Sequence, residues 1–536
     1  MPNIRLGGHV ETQLTEPQPA DKTRNSTVVT VLVMACTLLS RLLGFVRIAV
    51  IGALFGASGT ADVWNAVFTI PNNLRKLMAE GALSSAFIPS LSASLIEDSS
   101  HREARLITRK IITVQLIILL PLVILCALFS RQIVGALLAF PEAEKMQLSV
   151  DLFRWVFGYL LFISLSAVLM AVLNSHGVFV LPALTPVLFS VCVISATLLF
   201  YRWLGIFSMV VGILSGGIAQ ILCQLPRFLR LGYDLKPDFS FRHERFRRIL
   251  KAWLPVLGSA AIFAVTQQIA VLFASGLEDG STSALSYALV FFQLPFGIFS
   301  ISIITVLFPR MSRQAARADK KGLTETVSYG LRYIMVLLVP AALAYILLGE
   351  RIITVALERR AFTALGTLRT SRVLAGYSLG LFSLGGFTFL QRFFYSNHEF
   401  KRPLIAAAVV SVSDILLSLW LKETRLRVTG LAVANSIAFS GGFILLLVWA
   451  GKTLGSLRGR AILKTMGKMV LSLLPFAAFI LIYLHLSASL WTPGSSLRNL
   501  FLLLLAAAGA AAILIGMYRV LGVEMIKDLI RKRGDS

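Results

Sequence analysis

Charged residues are scarce in this chain. Only 14% of its 536 residues are Asp, Glu, Lys or Arg, whereas soluble globular proteins carry about 25%. Hydrophobic residues make up 57% of the sequence, and the mean hydropathy is +0.80. This composition excludes an ordinary water-soluble domain and predicts an all-α polytopic membrane protein, with the bilayer as its main solvent.

Cysteines and acidic residues are also few, and neither forms a functional pattern. The four cysteines lie far apart in apolar stretches without a CxxC spacing, so we expect neither a disulfide nor a metal site. The acids within apolar stretches are isolated, whereas a membrane transferase acting on a polyprenyl phosphate typically needs clustered carboxylates for Mg²⁺. The sequence therefore predicts that the protein is not an enzyme and has no cofactor.

Basic residues outnumber acidic ones by 51 to 26, which gives a formal net charge of +25. No basic and aromatic nucleic-acid-binding module accompanies them, so we expect no nucleic-acid partner. Most of the Lys and Arg lie in alternate connections between apolar runs, where they hold loops on the cytoplasmic side. This bias predicts that both termini are cytoplasmic.

About fourteen apolar runs are long enough to cross a bilayer. They fall near 28–56, 62–90, 107–129, 150–174, 180–201, 205–228, 252–275, 283–309, 326–349, 371–396, 403–421, 428–450, 465–487 and 499–518. The longest basic connection follows the sixth run, which predicts two six-helix lobes enclosing a substrate cleft, plus two C-terminal helices. The predicted regions are a disordered cytoplasmic tail 1–27, an N-lobe 28–228, a basic loop 229–251, a C-lobe 252–450, a helix pair 465–518 and a basic cytoplasmic tail 519–536.

Three arginines lie inside the first two runs. They are Arg41, Arg47 and Arg75. An arginine near the middle of a membrane helix costs at least ~2.5–3.5 kcal/mol, so something anionic must meet these side chains or water must reach them. We interpret them as the wall of a positively charged cavity that receives a phosphorylated lipid, because guanidinium binds phosphate oxygens in a bidentate manner.

Helical spacing places Ser40, Gly44 and Arg47 on one face of the first helix. Arg41 points elsewhere on a straight helix, so both arginines can face one cavity only if the helix bends near Gly44. Snorkelling to a headgroup is the alternative for these arginines, but it suits residues near a helix end better than residues in the middle.

The second run offers further polar candidates. Asp62 could counter an arginine or simply cap its own helix. Asn72 precedes Arg75, and Lys76 could pair with Glu80 at the i, i+4 spacing. Arg75 has no such local acidic partner in the sequence, which makes it the better candidate for binding an anion.

Asp414 is the only acid in the eleventh run, with Ser418 one turn later and Asn435 in the next run. These oxygen-bearing side chains could hold Na⁺ or a proton, or they could form an interhelical hydrogen-bond cluster. The two C-terminal runs carry little charge, and they could line a groove for a lipid tail or pad the bundle.

Several segments carry a family resemblance. They are SRLLGFVR (40–47), FGASGTAD (55–62), PNNLRKLMAEGALSSAFIP (71–89), LNSHGVFVLPALTPVL (173–188), QLPFGIFSISIITVLFPRMS (293–312) and FYSNHEFKRP (394–403). On these motifs the chain resembles the MurJ (MviN) family, the lipid II flippases of bacterial peptidoglycan synthesis within the MOP transporter superfamily.

The resemblance implies a protein of the bacterial cytoplasmic (inner) membrane that flips lipid II from the inner to the outer leaflet by alternating access. The substrate would be an undecaprenyl-diphosphate-linked disaccharide-peptide, and the last two helices would hold its tail. The implied cavity residues are Ser40, Arg41, Arg47, Asp62, Arg75 and Glu80, and we add Asn72 and Lys76 as substrate contacts. A flippase for another polyprenyl-diphosphate-linked oligosaccharide is the alternative.

The resemblance also implies that Asp414, Ser418 and Asn435 stand where some members bind sodium. Na⁺ coupling, H⁺ coupling and the membrane potential remain open as the driving force. The expected partners are lipid II and membrane lipids, and we expect a monomer; the sequence does not indicate regulatory partners.

The chain departs from the family pattern at four positions. Val290 and Gln293 replace a common arginine and acid of the eighth helix, Ile48 replaces an acid that follows the second arginine of the first helix, and Ser190 replaces an asparagine. Lys76, or Gln267 and Gln268 of the seventh helix, could substitute in part for the lost contacts.

Overall fold

The computed structural model describes residues 20–76, 87–98, 100–240, 244–494 and 496–523. Within these ranges all regular structure is helical, which confirms the predicted all-α class. The helices are α1 (Ala20–Phe55), α2 (Thr60–Arg75), α3 (Ile88–Glu97), α4 (Arg102–Leu128), α5 (Ser130–Leu137), α6 (Ala143–Val156), α7 (Tyr159–Ser175), α8 (Val180–Leu204), α9 (Phe207–Arg230), α10 (Glu244–Ser275), α11 (Ser281–Pro295), α12 (Ile301–Ala316), α13 (Lys320–Leu357), α14 (Ala364–Ser378), α15 (Leu381–Ser396), α16 (Lys401–Leu421), α17 (Val428–Leu454), α18 (Gly459–Leu486) and α19 (Leu497–Val520).

Eleven helices in the described ranges are long and apolar enough to cross a membrane. The number becomes twelve if α14 and α15, which meet at a 45° bend, form one span. The predicted total of fourteen is therefore not confirmed. The second predicted run, 62–90, includes residues that lie outside the described ranges.

Several predicted boundaries differ from the observed ones. The first helix begins at Ala20 rather than at residue 28, so the last residues of the predicted tail 1–27 are helical. The eighth predicted run is α11 and α12 joined by the π-helical segment Phe296–Ser300. Apolar periodicity cannot reveal such a segment, because one extra residue in a turn barely changes the pattern.

The buried apolar residues fall into separate clusters. One cluster of the first half of the chain includes Val63, Phe153 and Met209, and the largest cluster of the second half includes Phe389 and many other residues. A small cluster joins α18 and α19 to α13. We refer below to α1–α9 as the first half and to α10–α17 as the second half.

One end of the molecule joins the two halves, and we call it the sealed end. It carries the connections after α1, α5, α10 and α13. The Ala361 amide donates to the Ala53 carbonyl at 3.2 Å, and the Tyr287 hydroxyl donates to the Gly56 carbonyl at 3.1 Å. The end of α1 is thus fixed to the second half.

The connection that follows α9 is fixed to α4 by ionic contacts. Arg109 forms a bidentate ion pair with Asp234. Lys110 is buried, with 1% of its surface exposed. Its ammonium group contacts Asp238 Oδ2 at 3.1 Å and Ser240 Oγ at 2.6 Å. The first part of the link between the two halves therefore belongs structurally to the first half.

Candidate functional site

A central chamber lies between the two halves. It consists of three neighbouring cavities of about 530, 220 and 550 Å³, which we call the N-side, middle and C-side compartments. Arg47 lines the N-side and middle compartments, Gln267 lines the middle and C-side compartments, and Gln293 lines all three. These shared walls make the cavities parts of one chamber.

Three basic side chains line the N-side compartment: Arg47, Arg75 and Lys76. Ser40 and Asn72 line it as well. The Arg75 Nε donates to Asn72 Oδ1 at 3.1 Å, which helps to orient the guanidinium. The structure therefore brings together five of the residues that the sequence singled out.

The first helix presents two of its faces to the chamber. Ser40, Gly44 and Arg47 line the N-side compartment together, as their spacing predicts. Arg41 lines the C-side compartment, where its Nη1 lies 3.4 Å from the position that a Cβ of Gly297 would take. α1 is one continuous helix, and its two arginines line different compartments of the chamber. The bend near Gly44 stays a prediction.

Asp62 is not among the residues that line the three compartments, and its assignment as a substrate contact stays a prediction. The residue is buried, with 2% of its surface exposed. Its carboxylate accepts hydrogen bonds from the Gly280 amide at 2.9 Å and the Ser283 amide at 2.6 Å. A carboxylate is favourable at a helix N-terminus, where backbone amides lack partners. Asp62 therefore caps α11 across the interface between the halves, rather than its own helix.

Other polar contacts reinforce the sealed end. Lys145 Nζ lies 2.6 Å from Asp279 Oδ1, and the Gly59 amide donates to the same oxygen at 2.9 Å. Burial would raise the pKa of Asp279, but the hydrogen bonds from Lys145 and Gly59 outweigh it and lower the pKa. The Ala139 amide donates to Ser275 Oγ at 2.8 Å. The chamber is therefore closed at this end by a hydrogen-bonded ionic network.

Glu80 lies outside the described residues, so its predicted pairing with Lys76 stays a prediction. Lys76 itself lines the N-side and middle compartments.

The positions that depart from the family pattern also face the chamber. Val290 and Gln293 line it, and so does Gln267. Gln268 instead donates to the Leu137 carbonyl at 3.3 Å. Of the suggested replacements, Lys76 and Gln267 are thus in the chamber and Gln268 is not.

Asp414, Ser418 and Asn435 form a cluster at the edge of the C-side compartment. The Ser418 hydroxyl donates to Asp414 Oδ1 at 3.3 Å, and the Asn435 amide donates to Asp414 Oδ2 at 2.7 Å. The hydroxyl of Ser411, which also lines this compartment, is buried without a partner. The interhelical hydrogen-bond cluster that the sequence predicts as one alternative is therefore present, and an orphan oxygen lies on the same wall.

The charges that line the chamber are unbalanced. Among the described lining residues there are four cationic side chains, on α1 and at the end of α2, and a single acid, Asp414. No group of three or more His, Cys, Asp or Glu within the described ranges could hold a metal ion. A cationic chamber with neutral amides between the charges is suited to an anionic group with several oxygens.

Sequence reasoning missed Phe189, whose ring lies beneath Arg47 at 5.3 Å from the guanidinium carbon. It also missed the ion pair of Lys145 and Asp279. An aromatic residue in an apolar helix gives no signal that separates it from core packing, and loop residues far apart in sequence give no signal of contact.

Known proteins that are similar to this chain are described as lipid II flippases. A family model described as "Lipid II flippase MurJ" matches residues 51–502. A protein of Borreliella burgdorferi described as a probable lipid II flippase MurJ is 33% identical over 505 residues, covering 94% of this chain and 98% of the relative. The lipid II flippase MurJ of Burkholderia cenocepacia is 29% identical over 388 residues, covering 71% of this chain and 75% of the relative.

Two solved structures are similar as well. The lipid II flippase MurJ in an inward closed conformation superposes with a TM-score of 0.75 at 27% identity, covering 93% of this chain and all of that chain. A multidrug MATE transporter of the MOP superfamily, in an inward-facing conformation, superposes with a TM-score of 0.64 at 13% identity over 80% of this chain and 99% of that chain. The second likeness concerns the fold alone.

Proposed function

The chain belongs to the MurJ family of lipid II flippases, transporters of the MOP superfamily rather than enzymes, and on that premise we propose that it carries lipid II across the bacterial cytoplasmic membrane. The headgroup would enter the central chamber from the cytoplasmic side, and its diphosphate would bind Arg41, Arg47 and Arg75. The observation that carries this proposal is the chamber itself, with four cations and one acid among its described lining residues.

The direction of entry rests on the sealed end and on the distribution of basic loops. The contacts that join the halves concentrate at one end. With both termini in the cytoplasm, as the basic loops predict, the sealed end is extracytoplasmic. The chamber would then be reached from the cytoplasmic side.

Transport in this proposal proceeds by alternating access. Guanidinium groups offset the dehydration of the diphosphate as the headgroup leaves water, because each can donate two hydrogen bonds to phosphate oxygens. The halves then rock about the chamber, the Asp62 cap and the Lys145–Asp279 pair break, and the headgroup is released outside. The lipid tail stays in the membrane throughout.

The tail would follow α18 and α19. These helices pack on α13 through Leu348, Phe476 and Ile480, and their outward faces are apolar and exposed. A polyprenyl chain on these faces would remain in a hydrocarbon environment while the headgroup crosses. We propose a monomer, since one chain encloses the whole chamber.

We further propose that Asp414 couples transport to Na⁺ or H⁺. Its carboxylate, the hydroxyls of Ser411 and Ser418 and the amide oxygen of Asn435 provide oxygen donors with a single negative charge, which suits a monovalent cation. A membrane potential supplies ~2.3 kcal/mol per charge per 100 mV and would add to either ion gradient.

A cellular depletion experiment tests the proposed function. In cells depleted of their own flippase, this protein should restore growth, and Arg41→Ala, Arg47→Ala and Arg75→Ala variants should fail while lipid II accumulates on the inner leaflet. Full rescue by all three variants at normal membrane levels would refute the proposal. Accumulation of a different lipid-linked oligosaccharide, with lipid II unchanged, would favour the alternative substrate.

A further inference from the structure

Arg47 lies in the chamber without an acidic partner. The residue is half-buried, and within the described part of the chain its guanidinium makes neither a hydrogen bond nor an ion pair. The residue that follows it, Ile48, is apolar and packs against the core of the second half. Arg47 must therefore be held in place by something other than an opposite charge.

The ring of Phe189 is the contact that remains. The Arg47 guanidinium carbon lies 5.3 Å from the ring centroid, which is within the range of about 6 Å for a cation–π interaction. Phe189 is 8% exposed and lines the same N-side compartment. The contact is thus both desolvated and inside the chamber.

The position of the Phe189 ring is itself fixed by its neighbours. A Cβ on Gly216 of α9 would lie 2.8 Å from Phe189 Cδ2, so the ring uses the space that glycine leaves. The ring of Tyr159 lies 5.5 Å away on the opposite helix α7. The ring therefore packs between Gly216 and Tyr159, and we call it the platform for Arg47.

We propose that Phe189 is a positioning residue for Arg47, which it holds in the chamber with its charge intact. A carboxylate would fix the guanidinium but would occupy its N–H donors and neutralise it. An aromatic face attracts the cation through its quadrupole but carries no net charge to neutralise it. The N–H donors of the guanidinium therefore stay available for phosphate oxygens. This inference rests on the proposed function, in which Arg47 meets a diphosphate.

The arrangement parallels that of Arg75. There the neutral amide of Asn72 orients the guanidinium at 3.1 Å. In both cases a neutral group contacts a cation that lines the chamber.

The first test measures Arg47 without any substrate. The full-length protein in nanodiscs is treated with phenylglyoxal, and modification of Arg47 is quantified by mass spectrometry of its peptide. Phe189→Leu should raise the rate several-fold, while Phe189→Tyr should leave it near that of the wild type. Phe68→Leu is the matched control, because Phe68 also lines the compartment but stacks on Trp64 rather than under Arg47.

The second test measures binding of farnesyl diphosphate as a soluble probe. Phe189→Leu should weaken binding about tenfold, and it should have no further effect in an Arg47→Gln background. In an Arg75→Gln background the effect of Phe189→Leu should persist. A general loss of structure would instead weaken binding equally in both backgrounds. Equal thermal unfolding of the Leu and wild-type proteins serves as the folding control.

The outcomes separate the two claims. Unchanged phenylglyoxal labelling in Phe189→Leu overturns the platform, as does a tenfold binding loss that remains undiminished when Arg47 is already Gln. Faster labelling with unchanged probe binding leaves the platform standing and removes Arg47 from diphosphate recognition, which counts against the proposed function instead.

Discussion

At the scale of single residues, the chamber depends on cations whose positions are set by neighbouring groups. Asn72 orients Arg75, Phe189 lies under Arg47, and Arg41 packs beside Gly297 where a side chain would crowd it. Asp62, an acid that lies between Arg47 and Arg75 in the sequence, is used elsewhere as a cap. Because Asp62 does not line the chamber, its negative charge does not offset the positive potential that an anionic headgroup requires.

The role of Asp62 as an interlobe cap leads to a prediction for Asp62→Ala. Loss of the carboxylate leaves the Gly280 and Ser283 amides without their partner, which costs about 1–3 kcal/mol. The sealed end should open more often, so a cysteine placed at Gln293 should react faster with an impermeant maleimide added outside. Asp62→Asn should have a smaller effect because it keeps one acceptor. Labelling of the Ala variant at the wild-type rate would show that the cap does not hold the seal.

Asp414 gives a second prediction at this scale. In Asp414→Asn the single charge of the cluster is lost while the Ser418 and Asn435 partners keep their places. Lipid II transport should lose its dependence on a Na⁺ or H⁺ gradient, measured in proteoliposomes with each gradient imposed in turn. The matched control is Ser440→Ala, which alters another interhelical hydrogen bond of α17. A variant that retains full gradient dependence would contradict the coupling role.

At the scale of elements, the most informative unit is the connection after α9. Two successive basic residues of α4 fix it, and the Thr113 hydroxyl accepts the Asp238 amide at 2.7 Å. Phe246, at the start of α10, is fully buried in a cluster of the first half. The start of α10 therefore packs against the first half before the helix continues into the second half.

The anchor predicts the behaviour of Lys110→Met. Removing one partner of a buried ion pair costs about 3–5 kcal/mol, and the cost here should fall toward the lower end because Asp238 keeps the Ser240 donors. Hydrogen exchange of residues 234–240 should rise, and Lys110→Met combined with Asp238→Asn should recover part of the protection. Equal exchange in the wild type and the single variant would contradict the anchor.

The same anchor has a defined pH dependence. The Ser240 hydroxyl is the main cause that lowers the pKa of Asp238 to about 2, below the unfolded value of about 3.9. Stabilisation from this lowered pKa is present above about pH 4 and is lost as the pH falls through about 2. The protection of this connection, measured by hydrogen exchange, should therefore stay constant between about pH 5 and 8. A change in protection within that range would show that a group other than Asp238 controls it.

Particular elements show what sequence could and could not predict. The faces of α1 follow from helical geometry, so the grouping of Ser40, Gly44 and Arg47 was accessible from spacing alone. The π-helical segment and the contact of Asp62 with α11 depend on long-range packing, which leaves no local pattern. The departures at Val290 and Gln293 are visible in the sequence. Only the fold shows that Gln267 lines the chamber and that Gln268 does not.

At the scale of the whole molecule, the closed end and the cationic chamber belong to one cycle. The seal joins the halves through the Asp62 cap and the pair of Lys145 with Asp279, and transport requires these contacts to break and re-form. Most buried apolar residues of each large cluster belong to one half, with a few members from the other, such as Ala49 in the second-half cluster and Val271 in the first-half cluster. In the proposed cycle the halves move as units while the polar contacts between them exchange.

A disulfide across the sealed end should lock this cycle. A Cβ on Gly276 would lie 3.5 Å from the Ala139 Cβ, within the range of about 3.5–4.5 Å for a disulfide. In a background without the four native cysteines, the Ala139→Cys and Gly276→Cys pair should abolish lipid II transport when oxidised and recover it on reduction. Each single variant is the control. Full transport by the oxidised, cross-linked protein would show that the seal need not open.

The role of the chamber's guanidinium groups can be measured as the rate at which fluorescent lipid II crosses the membrane of proteoliposomes containing this protein. When Arg41, Arg47 and Arg75 are all changed to Gln, the rate should fall at least about a hundredfold, since each charged hydrogen-bonding group contributes about 1.5–3 kcal/mol. The control changes three exposed arginines outside the chamber to Gln, namely Arg131, Arg202 and Arg425, and its rate should equal that of the wild type. Equal rates for the two triple variants, with equal amounts of folded protein, would show that the chamber's guanidinium groups do not receive the diphosphate.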